Sequence, residues 1–350
     1  MDKDSKIYVA GHKGLVGSAL VRKLKEQGYN NLILRDSKEL DLRNQKDVEE
    51  FFGKEKPEHV FLAAARVGGI LANSTYKAEF IYDNLMIACN VINSAYKYGV
   101  KKLLNLGSSC IYPKHCQQPM KEEYLLSGKL EPTNEPYAVA KITAIKLCRY
   151  YNEQNNTNFI SVMPTNLYGS NDNFDLKDSH VLAAFMRKFH LAKLLNEEKY
   201  NLLLNDLKYH GDIAADMAEG EIETFLTDIG IFKDSIKLWG SGEPYREFLY
   251  VDDLANACLF LMQNYDFKDI GEFINIGTGK DLKIEELAEL IKDIVGYSGK
   301  IEWDKAKPDG TPQKLLDVSR INRLGWKATI SLDEGIKKTY HWYLKKEVRG

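Results

Sequence analysis

Four short, nearly continuous apolar runs in the first 110 residues each lead into a longer stretch with helical periodicity, and a fifth run follows near residue 160. The runs lie at 6–10 (KIYVA), 31–35 (NLILR), 59–65 (HVFLAAA), 102–109 (KLLNLGSS) and 159–164 (FISVMP); the periodic stretches lie at 15–27, 45–53, 76–98 and 137–155. Strands without polar alternation are strands buried on both faces, and strands alternating with helices imply right-handed crossovers. The pattern predicts an α/β chain built on a doubly wound parallel sheet.

Beyond Pro164 the spacing loosens. A helix is expected after Ser179 (SHVLAAFMRKFHLAKLL), a strand and turn at 236–242, a helix at 253–263 and a last strand and turn at 273–279. This divides the chain into a nucleotide-binding domain over 1–170, with returns to it at about 235–280, and a smaller C-terminal α/β substrate domain over 171–350. The polar, acid-rich stretch 196–234 has helical patches and no turn chemistry that fits a sheet. It reads as an insertion or lid on the second domain.

At 350 residues and 44% hydrophobic, the chain can bury a sizeable core. Lys and Arg number 48 against 50 Asp and Glu, too balanced for a protein that binds nucleic acid by neutralising phosphates. No apolar run reaches the ~18 residues of a spanning helix, and the first residues do not read as a secretory signal. Cys89, Cys110, Cys116, Cys148 and Cys258 form no CxxC pair, which points to a reducing, cytoplasmic setting. His12, His59, His115, His190, His210 and His341 have no metal-ligand spacing with Cys or carboxylates, so no metal is expected.

Gly11-His12-Lys13-Gly14-Leu15-Val16-Gly17 sits between the first strand and the first helix. Glycines there let backbone approach a pyrophosphate, and the helix N-terminus offers N–H groups and a positive dipole end; the plainer reading is a tight turn. At the end of the second strand an acidic residue would hold a ribose 2′-hydroxyl, whereas Arg accommodates a 2′-phosphate. Here Arg35 stands there, followed by Asp36, Ser37 and Lys38, with Lys13 in the loop. The cations favour NADP(H) over NAD(H).

Tyr137 and Lys141 stand four apart at a helix start, after Pro136, and so share a face. A neighbouring ammonium lowers a phenol's pKa and makes it a usable proton donor. Ser108 and Ser109 close a predicted strand, where open α/β sheets bind ligands, and a hydroxyl there can meet the same carbonyl oxygen; a strand-end cap is the plainer reading.

These motifs resemble the extended short-chain dehydrogenase/reductases of the nucleotide-sugar branch. The stretches GHKGLVGSAL, LAAARVGGILANSTY, LGSSCIYPK, EPTNEPYAVAK, MPTNLYG, WGSGEPYREFLYVDD, INIGTG and KPDGTPQKLLDVSR narrow the likeness to the GDP-L-fucose synthase family. The resemblance implies a Rossmann-type fold and NADPH-dependent reduction at C4 of a GDP-4-keto-6-deoxy sugar, coupled to epimerisation at C3 and C5. It implies a homodimer, with neither nucleic acid nor membrane as partner.

Residue by residue, the resemblance makes Tyr137 the proton donor to the C4 oxygen, Lys141 its tuner and holder of the nicotinamide ribose, and Ser108 the group orienting the ketone. Cys110 and His180 match the residues that exchange protons at C3 and C5, a role suited to a thiolate of lowered pKa and a near-neutral histidine. The implied cofactor site takes in Gly11, His12, Lys13, Gly14, Leu15, Val16, Gly17, Arg35, Ser37, Lys38, Asp41, Leu42 and Ala64. It continues through Leu106, Gly107, Ser109, Lys141, Pro164, Thr165, Asn166, Leu167 and His180. Lys188, Trp239, Arg246 and Asp309 match GDP-sugar contacts.

Each residue also has a plainer reading: Cys110 as a small buried hydrophobe, His180 as a cap or surface histidine, Trp239 as core, Arg246 as an ion-pair partner. Two departures from the family pattern bear on the sugar. The 196–234 stretch falls between Lys188 and Trp239, and Ala183 and Lys188 stand where proline and a second arginine are usual. Lys keeps the charge and loses the fork geometry. A dedicated C4 reductase for a GDP-4-keto-6-deoxyheptose, without epimerase activity, is therefore the first alternative. A nucleotide-sugar 4-epimerase or dehydratase with tightly bound NAD is the second, and an NADPH-sensing regulatory protein is the non-enzymatic one.

Overall fold

The structure, a computed structural model, describes residues 1–176, 178–213, 219–307 and 309–347. The chain separates into two units: Met1–Leu167, Glu247–Lys280 and Lys314–Ile330 form the first, and Tyr168–Arg246, Asp281–Gln313 and Ser331–Gly350 the second.

In chain order come β1 (Ile7–Ala10), α1 (Leu15–Glu26), β2 (Leu32–Ile33), α2 (Gln45–Glu55), β3 (His59–Leu62), α3 (Ile70–Thr75), α4 (Lys77–Lys97), β4 (Lys102–Leu106), α5 (Glu135–Asn155), β5 (Phe159–Pro164) and β6 (Asn166–Tyr168). There follow α6 (Val181–Asn196), α7 (Tyr200–Tyr209), α8 (Glu219–Asp228), β7 (Ser235–Trp239), β8 (Tyr245–Tyr250), α9 (Val251–Asn264), α10 (Phe267–Ile270) and β9 (Ile274–Ile276).

Six strands form the central sheet in the order β2-β1-β3-β4-β5-β9, and each neighbouring pair is parallel. Every residue of β1, β3, β4 and β5 is buried. One core, with Leu20 and Leu24 of α1 and Leu254 and Cys258 of α9, covers one face. A second, with Phe52 of α2, Val91 of α4 and Cys148 of α5, covers the other. Burial on both faces is why the strands read as unbroken apolar runs. Lys102 is the exception that fits: its buried ammonium donates to the carbonyls of Leu261 (3.1 Å), Met262 (2.9 Å) and Tyr265 (2.5 Å), at the negative end of α9.

The strands end earlier than the apolar runs suggest. β3 stops at Leu62, where Ala63 donates to Ala10 and the chain turns beneath the glycine loop. β4 stops at Leu106 because Ser108 caps a turn of 3₁₀ helix, Ser109–Ile111. β2 is only two residues long, an edge strand with β1 as its one neighbour in the sheet.

In the second unit β7 pairs in parallel with a strand at Lys300–Asp304. The stretch 196–234 folds as α7 and α8, with Leu203, Leu207, Ile222 and Leu226 buried; residues 214–218 lie outside the described residues. Among the described residues no helix is long and apolar enough to cross a membrane, and no group of three or more His, Cys, Asp or Glu is placed to hold a metal ion.

Candidate active site

The strand order reverses at β1, where β2 lies to one side and β3 to the other, and the glycine loop leaves the carboxyl end of β1 there. That is the position at which open α/β sheets bind ligands. Gly11 has φ +80°, and a Cβ on it would stand 2.8 Å from the Ala64 backbone. A Cβ at Gly17 would stand 2.1 Å from the Gly11 carbonyl oxygen, so chain packing alone dictates both glycines.

Gly14 differs. Its φ of −76° suits any residue, and a Cβ there would meet the Gly11 oxygen at an ordinary 3.5 Å. Packing within the chain therefore does not dictate glycine at this position, and the face of the loop it leaves bare is open to close approach by another group. Gly14 is also the N-cap of α1 and supplies no side-chain cap, which leaves the first N–H groups of the helix for an anion. Nδ1 of His12 is buried there without a hydrogen-bond partner. A cradle of this kind, with an orphaned nitrogen beside it, fits a dinucleotide pyrophosphate.

Past the end of β2 the structure brings Lys13 and Asp36 together at 2.5 Å. The lysine, with the amides of Lys38 and Glu39, holds the Asp36 carboxyl down at about 2, and the pairing raises Lys13 in turn. Arg35 is turned to the Leu34 carbonyl (2.9 Å) and to Glu55 (3.0 Å). Ser37 and Lys38 are exposed. Asp41 is taken up by Arg43 (2.8 Å), and the Leu42 carbonyl accepts from Asn90. Leu15, Val16 and Ala64 are half-buried around the loop.

Tyr137 and Lys141 share a face of α5, as the spacing predicts. Lys141 is buried, donates to the Leu106 carbonyl at 2.7 Å, and lies 5.6 Å from the centre of the Tyr137 ring. Burial pulls its ammonium down to about 8, against an opposing pull from Cys110. Two expectations are reversed here. Burial, with Cys110 adding to it, pushes the Tyr137 phenol above the ordinary tyrosine range instead of below it. Burial also raises the Cys110 thiol, and the bond to Ser108 and the charges of Lys314 and Lys141 only partly oppose it. A charge lowers a neighbour's pKa only where desolvation does not outweigh it, and both groups are too enclosed for that.

Ser108 accepts from the Cys110 amide at 3.4 Å, and the bond from Lys141 to the Leu106 carbonyl brings the Tyr137–Lys141 face of α5 to the same carboxyl end of β4. Ser109 and Gly107 are buried behind them, and a Cβ on Gly107 would overlap the Met163 side chain. From β5, Pro164 and Thr165 are buried, with Asn166 and Leu167 half-buried. Thr165 Oγ1 (3.2 Å) and Asn166 Nδ2 (2.8 Å) both donate to the Glu247 carbonyl. Sequence reasoning missed Glu247. Its fully buried carboxylate accepts from the amides of Thr278 (2.6 Å), Gly279 (2.7 Å) and Leu316 (3.0 Å), and so fixes two separate segments of the first unit. The one available signal was an acid beside the apolar stretch FLYV.

In the second unit His180 is the exposed N-cap of α6, and its side chain makes no capping bond. Lys188, on the same helix, is 9% exposed, donates to the Ile229 carbonyl at 2.8 Å, and is lowered to about 8 by burial. Trp239 is 58% exposed, with Lys307 5.0 Å above its ring, so it is not core. Arg246 donates to the Tyr245 carbonyl, and burial lowers it to about 10. Asp309 accepts from the amide (2.6 Å) and hydroxyl (2.8 Å) of Ser241, and so braces the turn that follows Trp239.

A strand-turn-helix anion cradle beside a Tyr-Lys-Ser cluster defines a nicotinamide-dependent α/β enzyme of the short-chain dehydrogenase type. A profile of the NAD dependent epimerase/dehydratase family matches residues 7–277, and the chain belongs to that family. Within it, the chain falls with the GDP-L-fucose synthases. GDP-L-fucose synthase 1 of Arabidopsis thaliana is 53% identical over 344 residues, covering 98% of this chain and 94% of that protein. GDP-L-fucose synthase of Escherichia coli (strain K12) is 46% identical over 350 residues, covering 98% of each. Among solved structures, MlghC, a GDP-mannoheptose C4 reductase from Campylobacter jejuni with NADP bound, is 46% identical with a TM-score of 0.87, covering 98% of this chain and 99% of that one.

Proposed function

We propose that the protein reduces the C4 ketone of a GDP-4-keto-6-deoxy sugar with NADPH and epimerises C3 and C5 in the same site, as a GDP-L-fucose synthase does. The observation that carries this reading is the cluster of Tyr137, Lys141, Ser108 and Cys110 at the end of β4, in a chain similar over its whole length to named GDP-L-fucose synthases. NADPH supplies the hydride for C4. The glycine loop and the start of α1 would bind its pyrophosphate, Lys141 would hold its nicotinamide ribose, and Lys13 and Arg35, which here pair with Asp36 and Glu55, would exchange those partners for its 2′-phosphate.

Tyr137, kept protonated by burial, gives its proton to the C4 oxygen as negative charge develops there, and Ser108 orients that oxygen. The C3 and C5 hydrogens are acidic because both carbons flank the ketone, and Cys110 and His180 exchange protons with them. Burial keeps the Cys110 thiol protonated at rest and makes its thiolate, once formed, a strong base. Lys188, Arg246 and Trp239 take the GDP-sugar, the cations serving its diphosphate and the exposed indole an apolar face. The turn braced by Asp309 presents that indole. The reading includes a homodimer in the cytoplasm; the five cysteines are all free.

Cys110→Ser tests the epimerase half. In D₂O the variant is expected to lose deuterium incorporation at C3 and C5 while reducing a pre-epimerised substrate within about tenfold of the normal rate. Persistent exchange would remove Cys110 from the proton-transfer role. Arg35→Ala tests the cofactor assignment. NADPH should weaken about 10-fold or more, the size of a lost charge-assisted hydrogen bond, with NADH little changed; equal losses would take Arg35 out of the 2′-phosphate site.

A second reading has its own support. The likeness to a heptose C4 reductase is as extensive as that to the Escherichia coli fucose synthase, and the 196–234 stretch lies between Lys188 and Trp239 in sequence. A GDP-4-keto-6-deoxyheptose reduced without C3/C5 exchange would fit that reading.

A further inference from the structure

Arg187, beside Lys188 on α6, is the largest fully buried side chain among the described residues. A guanidinium is kept from water only where partners satisfy its donors. Nε and Nη2 both reach Asp206 Oδ1, at 2.9 and 2.8 Å; Nη2 also meets Asp212; and Nη1 donates to the Phe174 carbonyl at 3.1 Å. Asp206 is completed by the Tyr343 hydroxyl on its other oxygen.

Three segments of the second unit meet at this one side chain. Asp206 and Asp212 belong to α7 and the turn after it, within the acid-rich 196–234 stretch, while Phe174 lies in the loop that leads to His180. The next residue of α6 closes the far end of the same stretch, because Lys188 donates to Ile229, just past α8. Arg187 and Lys188 thus hold the added helical pair at both ends. The same two residues tie it to the helix whose N-cap is His180 and whose third turn carries the proposed diphosphate cation.

We propose that the Asp206–Arg187–Asp212 clamp is a positioning device. Through it the 196–234 stretch sets the pose of α6 and of the Phe174–His180 loop, and so sets affinity for the GDP-sugar. Arg187, Asp206 and Asp212 are positioning residues; none is assigned contact with the sugar. The inference rests on the GDP-sugar reading given above.

Asp212→Asn and Asp206→Asn keep the volume, remove one charge each and turn one acceptor oxygen into a donor. In the full-length enzyme, KM for the GDP-4-keto-sugar and the Kd for GDP are both expected to rise roughly 10- to 100-fold, the scale of a small misplacement of binding groups. NADPH affinity, most of whose implied contacts lie in the first unit, should stay within about threefold of the unaltered enzyme. Asp212→Glu, which restores the charge, should recover most of the loss. A clamp with a purely structural role would lower the melting temperature and the folded fraction while leaving KM and GDP affinity per folded molecule unchanged; that result in Asp212→Asn, the milder variant, would overturn the proposal. An unaltered enzyme inert toward every GDP-keto-sugar and unable to bind GDP would instead overturn the functional reading, and the clamp's role with it.

Discussion

Tyr137→Phe is expected to lower turnover by about 10²- to 10⁴-fold, the usual worth of a positioned proton donor, and to leave NADPH affinity unchanged. The reason lies in what the substitution keeps. The phenylalanine ring retains its place 5.6 Å from the Lys141 ammonium, and Lys141 is held by the Leu106 carbonyl and not by the tyrosine hydroxyl. The packing of α5 against the sheet therefore survives, and what disappears is the one proton proposed to reach the C4 oxygen. Burial raises that phenol, so the native group is fully protonated across the neutral range, and the deficit in the variant should not be relieved by raising or lowering pH through it. Steady-state rates together with NADPH titration separate the two effects. Turnover within tenfold of normal would remove Tyr137 from the chemistry, and a parallel loss of NADPH binding would make it a cofactor ligand instead.

Gly17→Ala should have an effect of similar size for a different reason. The added Cβ would stand 2.1 Å from the Gly11 oxygen and 2.8 Å from the His12 Cα, both backbone atoms of the loop proposed to cradle the pyrophosphate. No side chain can rotate away to relieve it, so the loop or the start of α1 must move, and the N–H groups aimed at the anion move with it. We expect NADPH affinity to fall about 100-fold or more, equal to roughly 2.7 kcal/mol, as read by fluorescence titration. A value within threefold of normal would mean that the loop relaxes freely and that the cradle is not where the cofactor binds. Gly14→Ala is the companion experiment: the chain itself has room for that Cβ, so any loss there reports ligand contact alone.

The parts of this molecule that were legible in the sequence are those carried by local spacing. Glycines at 11, 14 and 17 between an apolar run and a helical one place the cradle, and Tyr137 and Lys141 four apart on a helix place the pair. β5 matches its run residue for residue. What stayed hidden depends on tertiary burial. Arg187 in an Arg-Lys pair reads as a surface cation, and Asp206 and Asp212 read as solvated acids in a polar stretch. Only the packing of α6 against α7 turns the three into a buried clamp. Glu247 is hidden for the same reason, since its partners are amides 31 to 69 residues away in the chain. The pKa directions of Tyr137 and Cys110 run opposite to the sequence expectation because the sequence displays the neighbouring charge and conceals the desolvation that outweighs it.

A proton NMR time course of the purified enzyme with GDP-4-keto-6-deoxymannose and NADPH in D₂O examines reductase and epimerase together. The expected product is a GDP-6-deoxyhexose with the L-fucose configuration, reduced at C4 and carrying deuterium at C3 and C5. Oxidation of NADPH with no deuterium at either carbon would contradict the epimerase assignment and move Cys110 and His180 out of proton transfer. An unreacted sugar, with NADPH demonstrably bound, would contradict the hexose substrate itself and favour a longer keto-sugar.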